Sequence, residues 1–159
     1  MDKQSIIKTE TESLLAKMIN TFEIEVHEEN GIYQILIKAE EEAPTVIGRH
    51  GETIRAIQKI LEVMLYKQFN EPLNILVNVN DYREKQKERL ECLANQYASK
   101  TKETNEPAYI KGLSSYERKM IHEYITSNYP ELTTYSVGEG KDRNLVINLK
   151  GNEPPKEES

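Results

Sequence analysis

The period of the apolar residues changes along the first eighty positions, and this change restricts the fold most. Residues 2–20 carry apolar side chains at spacings of three, four and seven, which indicates an amphipathic helix. Apolar and polar side chains then alternate over 22–37, on either side of Asn30-Gly31, a pair typical of a tight hairpin turn. A short helix, a longer helix and an alternating strand follow. The predicted order is therefore helix, strand, strand, short helix, helix, strand.

The second half of the chain predicts a smaller unit. A long helix is expected from a cap at Asp81 to about Thr104, and another helix begins after a cap at Ser114 or Ser115. Alternating segments predict short strands over 108–110, 132–137 and 143–149.

These elements predict an α+β protein with two small domains, which suits a chain of 159 residues. We expect the second domain to contain a short, mainly antiparallel sheet. The expected boundaries are an N-terminal domain over 1–80, a connecting helix over 81–104, a second domain over 105–150 and a disordered tail over 151–159.

Composition excludes several classes of protein. No apolar run approaches the roughly 20 residues of a membrane-spanning helix, and the first residues have no apolar stretch of signal-peptide length. The single cysteine, Cys92, cannot form an internal disulfide. We therefore expect a cytoplasmic protein without membrane insertion.

Positive charge is concentrated in one stretch although the net charge is -6. Residues 43–69 contain four basic and two acidic side chains, and they include the tetrapeptide Gly48-Arg49-His50-Gly51 before the long helix. Glycines allow another backbone to approach closely, and the first amides of a helix are donors for anions. The tetrapeptide therefore indicates a phosphate-binding loop; a plain glycine-rich connection is the alternative.

Residues 46–58, which read V-I-G-R-H-G-E-T-I-R-A-I-Q, resemble the I-G-x-x-G-x-T signature of a KH domain. They are particularly similar to the bacterial Jag family (SpoIIIJ-associated proteins), in which a KH domain precedes an R-x-x-x-H domain. Residues 116–122, Y-E-R-K-M-I-H, resemble the core of that second domain. The resemblance implies a type II KH fold for the first domain.

The resemblance also implies which residues bind nucleic acid. In the first domain these are Ile47, Gly48, Arg49, His50, Gly51, Arg55 and Lys59, with Ile47 and Ile54 as an apolar floor for bases. In the second domain they are Arg118, Lys119 and His122. Arg118 and His122 are four residues apart, so they share a helix face and can present a guanidinium and an imidazole to one phosphate or base.

The predicted function is binding of single-stranded nucleic acid, with RNA favoured over single-stranded DNA, in post-transcriptional regulation or in control of the cell envelope and division. The alternative is a protein adaptor or oligomerising module, with another small KH protein or a second copy of the chain as partner. The sequence contains no paired carboxylates, nucleophile with its base, or metal ligands at a spacing diagnostic of catalysis or metal binding. We therefore expect no enzyme activity, cofactor or metal.

Overall fold

Within residues 2–153, the part of the chain that the computed structural model describes, the strands form two three-stranded sheets. Each sheet lies in one of two units, Met1–Glu84 and Lys85–Ser159. The α+β class and the two small domains predicted from the sequence are thus confirmed. Of the predicted disordered tail over 151–159, positions 154–159 lie outside the described residues.

The first unit follows the predicted order of elements. Its sheet has the strand order β1-β2-β3, in which β1 and β2 are antiparallel whereas β2 and β3 are parallel. The elements are α1 (Lys3–Leu15), β1 (Glu23–Glu29), β2 (Ile32–Lys38), α2 (Ala43–Ile47), a 3-10 turn (Arg49–Gly51), α3 (Glu52–Phe69) and β3 (Asn74–Val79).

The hairpin forms where the sequence predicts it. Asn30 and Gly31 both have positive φ, 53° and 80°, as a two-residue turn matched to the twist of the strands requires. The register pairs Ile24 with Ile37, and both side chains are buried. The alternating apolar residues of the two strands therefore face the core.

Helix α3 covers the core through one apolar stripe. Its buried residues are Ile54, Ile57, Leu61 and Leu65, which recur at spacings of three and four. The helix ends because Asn70 adopts the left-handed conformation (φ 56°), with its N–H donating to the Tyr66 carbonyl.

The side chain of Asn80 ties the end of β3 to the end of β2. It accepts a hydrogen bond from the Ala39 N–H (3.1 Å) and donates to the Ala39 carbonyl (2.7 Å), while its own N–H donates to the Ile37 carbonyl (2.9 Å). Its φ is 52°, a region that asparagine tolerates better than most residues. Asn80 thus supports the parallel pairing of β2 and β3.

We expect Asn80→Ala to destabilise the protein by about 2 kcal/mol, because it removes two hydrogen bonds and places alanine at positive φ. Asn80→Gly also loses both bonds but accepts the backbone angle, so its loss should be smaller by about 1 kcal/mol. Urea unfolding of both variants measures the difference. Equal stability of Asn80→Ala and the unchanged protein would contradict this role.

The side chain of Glu42 binds the backbone of the segment that connects α1 to β1. Its carboxylate accepts hydrogen bonds from the N–H groups of Asn20 and Thr21, both at 2.9 Å. These bonds, that from Thr21 first, hold the pKa of Glu42 below its ordinary value of 4.5, because they stabilise the ionised form.

A lowered pKa contributes stability that is present above pH 4.5 and is lost as the pH falls through the pKa of the folded state. We therefore expect Glu42→Gln to have a thermal midpoint that falls less between neutral pH and pH 3 than that of the unchanged protein. Thermal melts followed by circular dichroism at several pH values make this comparison. Parallel pH profiles for the two proteins would refute the assignment.

The second unit contains three antiparallel strands and a helix that packs on them. The strand order is β4-β6-β5, with both pairings antiparallel. The elements are α4 (Tyr82–Thr104), β4 (Ala108–Ile110), α5 (Ser115–Asn128), β5 (Leu132–Val137), a 3-10 turn (Gly140–Asp142) and β6 (Asn144–Leu149).

Most of α4 belongs to the second unit. Leu90, Ala94 and Ala98 are buried in one cluster with Ile121 and Ile125 of α5. The sequence-based boundaries treat this helix as a connection outside both domains, whereas its apolar stripe supplies part of the second core. The two units divide between Glu84 and Lys85, just after the helix begins.

None of the helices in the described residues combines the length and the apolar composition that crossing a membrane requires.

Candidate nucleic-acid interface

The tetrapeptide between α2 and α3, hereafter the glycine loop (residues 48–51), needs glycine at its first position. Gly48 has φ 71°, and a Cβ added there would lie 2.1 Å from the Thr53 hydroxyl oxygen and 2.9 Å from the Thr53 backbone nitrogen. The backbone nitrogen of Thr53 cannot be moved aside by a rotation of the side chain. The backbone at Gly48 therefore fits closely against the first turn of α3.

Glycine is needed at the last position of the loop as well. Gly51 is left-handed, with φ 74° and ψ 18°, and a Cβ there would lie 3.1 Å from the ring of Tyr82. Between the glycines His50 also has positive φ, 55°. Three residues of the glycine loop thus hold a backbone conformation that side chains disfavour.

Several amides of the glycine loop already donate hydrogen bonds within the chain. The N–H of Gly48 donates to the Pro44 carbonyl at 2.9 Å, and the N–H of Gly51 donates to the Gly48 carbonyl at 3.3 Å. The N–H of Glu52 donates to the Arg49 carbonyl. The expectation of open amide donors is therefore wrong at these three positions, because the 3-10 turn directs the donors back to carbonyls of the loop and of α2.

The basic residues predicted to bind nucleic acid differ in their position and in their contacts with the glycine loop. Arg49 is exposed on the turn itself. Arg55, partly buried, donates from Nη1 to the His50 carbonyl at 2.8 Å, so it braces the loop. Lys59 lies one turn further along α3, where its ammonium group is 3.6 Å from the Glu62 carboxylate.

The predicted apolar floor is only half supported. Ile47 is half-buried and packs against the core of the first unit, which leaves part of its side chain accessible. Ile54 is only 2% exposed. The prediction that Ile54 contacts bases is wrong, because this side chain points from α3 into the core.

In the second unit, the position of α5 is set by a capping box. The Ser114 hydroxyl accepts from the Glu117 N–H at 3.2 Å, and the Glu117 carboxylate accepts from the Ser114 N–H at 2.9 Å. Glu117 is fully buried, and its carboxylate is 2.8 Å from the Arg89 guanidinium. These contacts fix the helix turn that carries the predicted Arg118 and Lys119.

The R-x-x-x-H residues are held by neighbouring groups. Arg118 donates to the Leu113 carbonyl at 2.7 Å and to the Ser115 hydroxyl at 2.9 Å. The Nδ1 atom of His122 forms a hydrogen bond with the hydroxyl of Thr134, a buried residue of β5. Arg118 and His122, which the spacing of four places on one face of α5, are therefore also connected to β5 through the contact of His122 with Thr134.

Arg118, Lys119 and His122 line one cavity of about 300 Å³ in the second unit. Sequence reasoning missed the residues that complete it, because most of them come from β5 and the segment after it, far along the chain from the start of α5. The missed residues are Ser115, Thr134, Tyr135, Ser136, Arg143 and Leu145. The alternation of β5 predicts which of its residues share a face, but it does not predict the helix that faces them.

Arg143 is the additional cation of this cavity. It follows the turn between β5 and β6, and its Nη1 donates to the Gly138 carbonyl at 2.7 Å. The cavity thus combines two guanidinium groups, an ammonium group, an imidazole and hydroxyl groups, which are the usual partners of phosphate oxygens. Over residues 2–153, three or more His, Cys, Asp or Glu side chains do not gather in a way that could hold a metal ion.

A domain family and several known proteins match parts of the chain. Residues 88–149 match the model of the R-3-H domain, which is the R-x-x-x-H domain named above. The chain is similar to the RNA-binding protein KhpB of Bacillus subtilis, with 34% identity over 112 residues, which cover 69% of this chain and 53% of that protein. It is 31% identical over 105 residues to RNA-binding protein KhpB of Lactiplantibacillus plantarum and of Clostridium symbiosum, covering 66% of this chain and 32% and 47% of those proteins.

The chain thus spans between about a third and a half of the length of these relatives. Its second unit contains an R-x-x-x-H domain, and the chain is homologous to the KhpB RNA-binding proteins.

Proposed function

We propose that the chain binds single-stranded RNA through two sites, the glycine loop of a KH-type first domain and the cavity of the R-x-x-x-H domain. The observation that carries this proposal is the backbone of the glycine loop, which keeps positions 48 and 51 free of side chains while Arg49 is exposed between them. The homologous KhpB proteins are named RNA-binding proteins, which supports the same ligand.

The topology of the first unit supports a type II KH-type domain. The order α-β-β-α-α-β, with a parallel pair β2 and β3, places the glycine loop between two helices that both pack in the same core through Val46 and Ile54. The loop is thereby anchored on each side. An anchored loop can bind a flexible strand without first losing its own conformational entropy.

In this proposal the phosphate backbone lies against the glycine loop, and charge rather than free amides holds it. The amides of Gly48, Gly51 and Glu52 are engaged, so the attraction comes from the side chains of Arg49 and Arg55, with the His50 imidazole as a further hydrogen-bonding group. Lys59 extends the positive charge along α3. The accessible part of Ile47 provides apolar contact for a base.

The second site binds the same strand further along. Arg118, Lys119 and His122 face a cavity with Arg143, and the two sites belong to one chain, so each raises the effective concentration of RNA at the other. The activity is binding rather than catalysis. We propose a cytoplasmic role in post-transcriptional regulation or in control of the cell envelope and division, with single-stranded DNA as the weaker ligand.

Arg49→Ala tests the glycine loop without disturbing its backbone. A substitution of Gly48 would force Thr53 to move, whereas Arg49 is exposed. If about four phosphates are neutralised in the complex, log K should fall with log salt at a slope near -3, and Arg49→Ala should make this slope less negative by roughly 0.7.

The matched control is Lys17→Ala, which removes an exposed cation after α1 and should leave the slope unchanged. Fluorescence anisotropy with a short single-stranded RNA at several salt concentrations gives the slopes. A salt-independent affinity, or equal loss in Arg49→Ala and Lys17→Ala, would refute phosphate binding at the loop.

Lys119→Ala tests the second site. Lys119 is exposed at the cavity, so we expect the same salt slope to become less negative by roughly 0.7. Lys100→Ala, an exposed lysine of α4 in the same unit, should bind RNA as the unchanged protein does. If both variants bind alike, the cavity takes no part in RNA binding.

A further inference from the structure

The sheet of the second unit has a face opposite to the one on which its helices pack. Ile110, Leu145 and Ile147 lie in one core cluster with residues of α4 and α5. Because side chains alternate along a strand, the residues between them point to the opposite face. We call this opposite face the outer face, and it is formed by Tyr109, Thr133, Tyr135, Val137, Asn144, Val146 and Asn148.

Two tyrosines lie in one row across the outer face. Tyr109 of β4 and Tyr135 of β5 both pair with Val146 of the middle strand, β6. Cross-strand partners share a face, and neighbouring strands are about 4.8 Å apart, so the two tyrosines are separated by about 10 Å. This spacing leaves room for a separate base on each ring.

The two tyrosines are accessible and are held by the sheet. Tyr109 is 52% exposed, and Tyr135 is half-buried. Val146, which lies between them, is fully buried. The hydroxyl of Tyr135 accepts a hydrogen bond from Asn148 Nδ2 at 3.3 Å. Aromatic side chains that are already held in place lose little conformational entropy when a ligand contacts them.

The charges around the outer face suit a negatively charged strand. The seven residues that define the face carry no charge. Lys111 and Lys150 are exposed and continue the same alternation past the ends of β4 and β6. Glu131, just before β5, is paired with Lys102 at 2.8 Å. Aromatic rings with cations beside them are the combination that binds single-stranded nucleic acid.

The outer face adjoins the cavity of the second unit. In the strand order β4-β6-β5, β5 is an edge strand, and its residues Tyr135 and Ser136 line the cavity beside α5. Tyr135 therefore belongs to both surfaces. An RNA strand held in the cavity by Arg118 and Arg143 reaches the outer face by passing over a single β-strand.

We propose that the outer face stacks two bases of the RNA strand whose phosphate lies in the cavity. This inference rests on the proposed RNA binding and extends it. The base next to the bound phosphate stacks on Tyr135, and a following base stacks on Tyr109. Stacking requires unpaired bases and accepts any base, because every base has a π-face. The outer face therefore favours single strands over duplexes without selecting a sequence.

Tyr109→Leu tests the proposal, because it removes the ring, keeps an apolar side chain and changes a residue that does not line the cavity. The affinity of the full chain for a single-stranded RNA of about ten nucleotides should fall about fivefold or more, as measured by fluorescence anisotropy. Stacking releases no counterions, so the slope of log K against log salt should stay the same, in contrast to Lys119→Ala. Tyr109→Phe restores a ring and should bind about fivefold more tightly than Tyr109→Leu.

The matched control is Tyr66→Leu on α3, since Tyr66 is 53% exposed and Tyr109 is 52% exposed. This control should leave the affinity unchanged. Equal affinities of Tyr109→Leu and the unchanged protein, or equal losses in Tyr109→Leu and Tyr66→Leu, would overturn stacking on the outer face, while a retained salt slope would still support phosphate binding. Absence of RNA binding by the unchanged protein would overturn both this inference and the proposed function.

The ring signals of Tyr109 give a direct readout that a purely structural role would not change. A base stacked on the ring shields its protons, so these signals should move upfield in a saturable manner when RNA is added to the ¹³C-labelled full chain. The ring signals of Tyr66 should not move. Ring signals of Tyr109 that stay in place at saturation would overturn the proposal.

Discussion

The rest of the first unit is organised around the positive φ angles of the glycine loop. Gly48 and Gly51 let α2 end and α3 begin within four residues, while Val46 before the loop and Ile54 after it remain in one core. Thr53 and Tyr82 occupy the space that side chains at the two glycines would need. The turn is thus fixed from both sides, and Arg49 is directed to solvent without disturbing the core.

Local chemistry explains which parts of the structure the sequence predicts well. The hairpin at Asn30-Gly31, the buried stripe of α3 and the cap at Ser114 depend on residues within one turn or one strand of each other, and all three form where expected. The predictions that were wrong or incomplete concern contacts that the pattern of apolar residues does not determine. The pattern did not show that the loop amides bond within the chain, that Ile54 is buried, or that Thr134 and Arg143 complete the second cavity, because the folded backbone and its packing decide each of these.

Helix α3 connects the separate properties of the first unit. Its buried stripe covers the sheet, and its first turn supports the glycine loop through Arg55, which donates to the His50 carbonyl. The packing of the core and the conformation of the glycine loop therefore both depend on this one helix.

The most direct test is an NMR titration of the ¹⁵N-labelled full chain with a short single-stranded RNA. RNA at the glycine loop changes the environment of its backbone, so the amide signals of Arg49, His50 and Thr53 should shift in a saturable manner. The core offers internal references, because the amides of the buried Ile35 and Ile37 on β2 should stay nearly unmoved. Saturable binding that leaves the signals of the loop unchanged would contradict RNA recognition by the glycine loop.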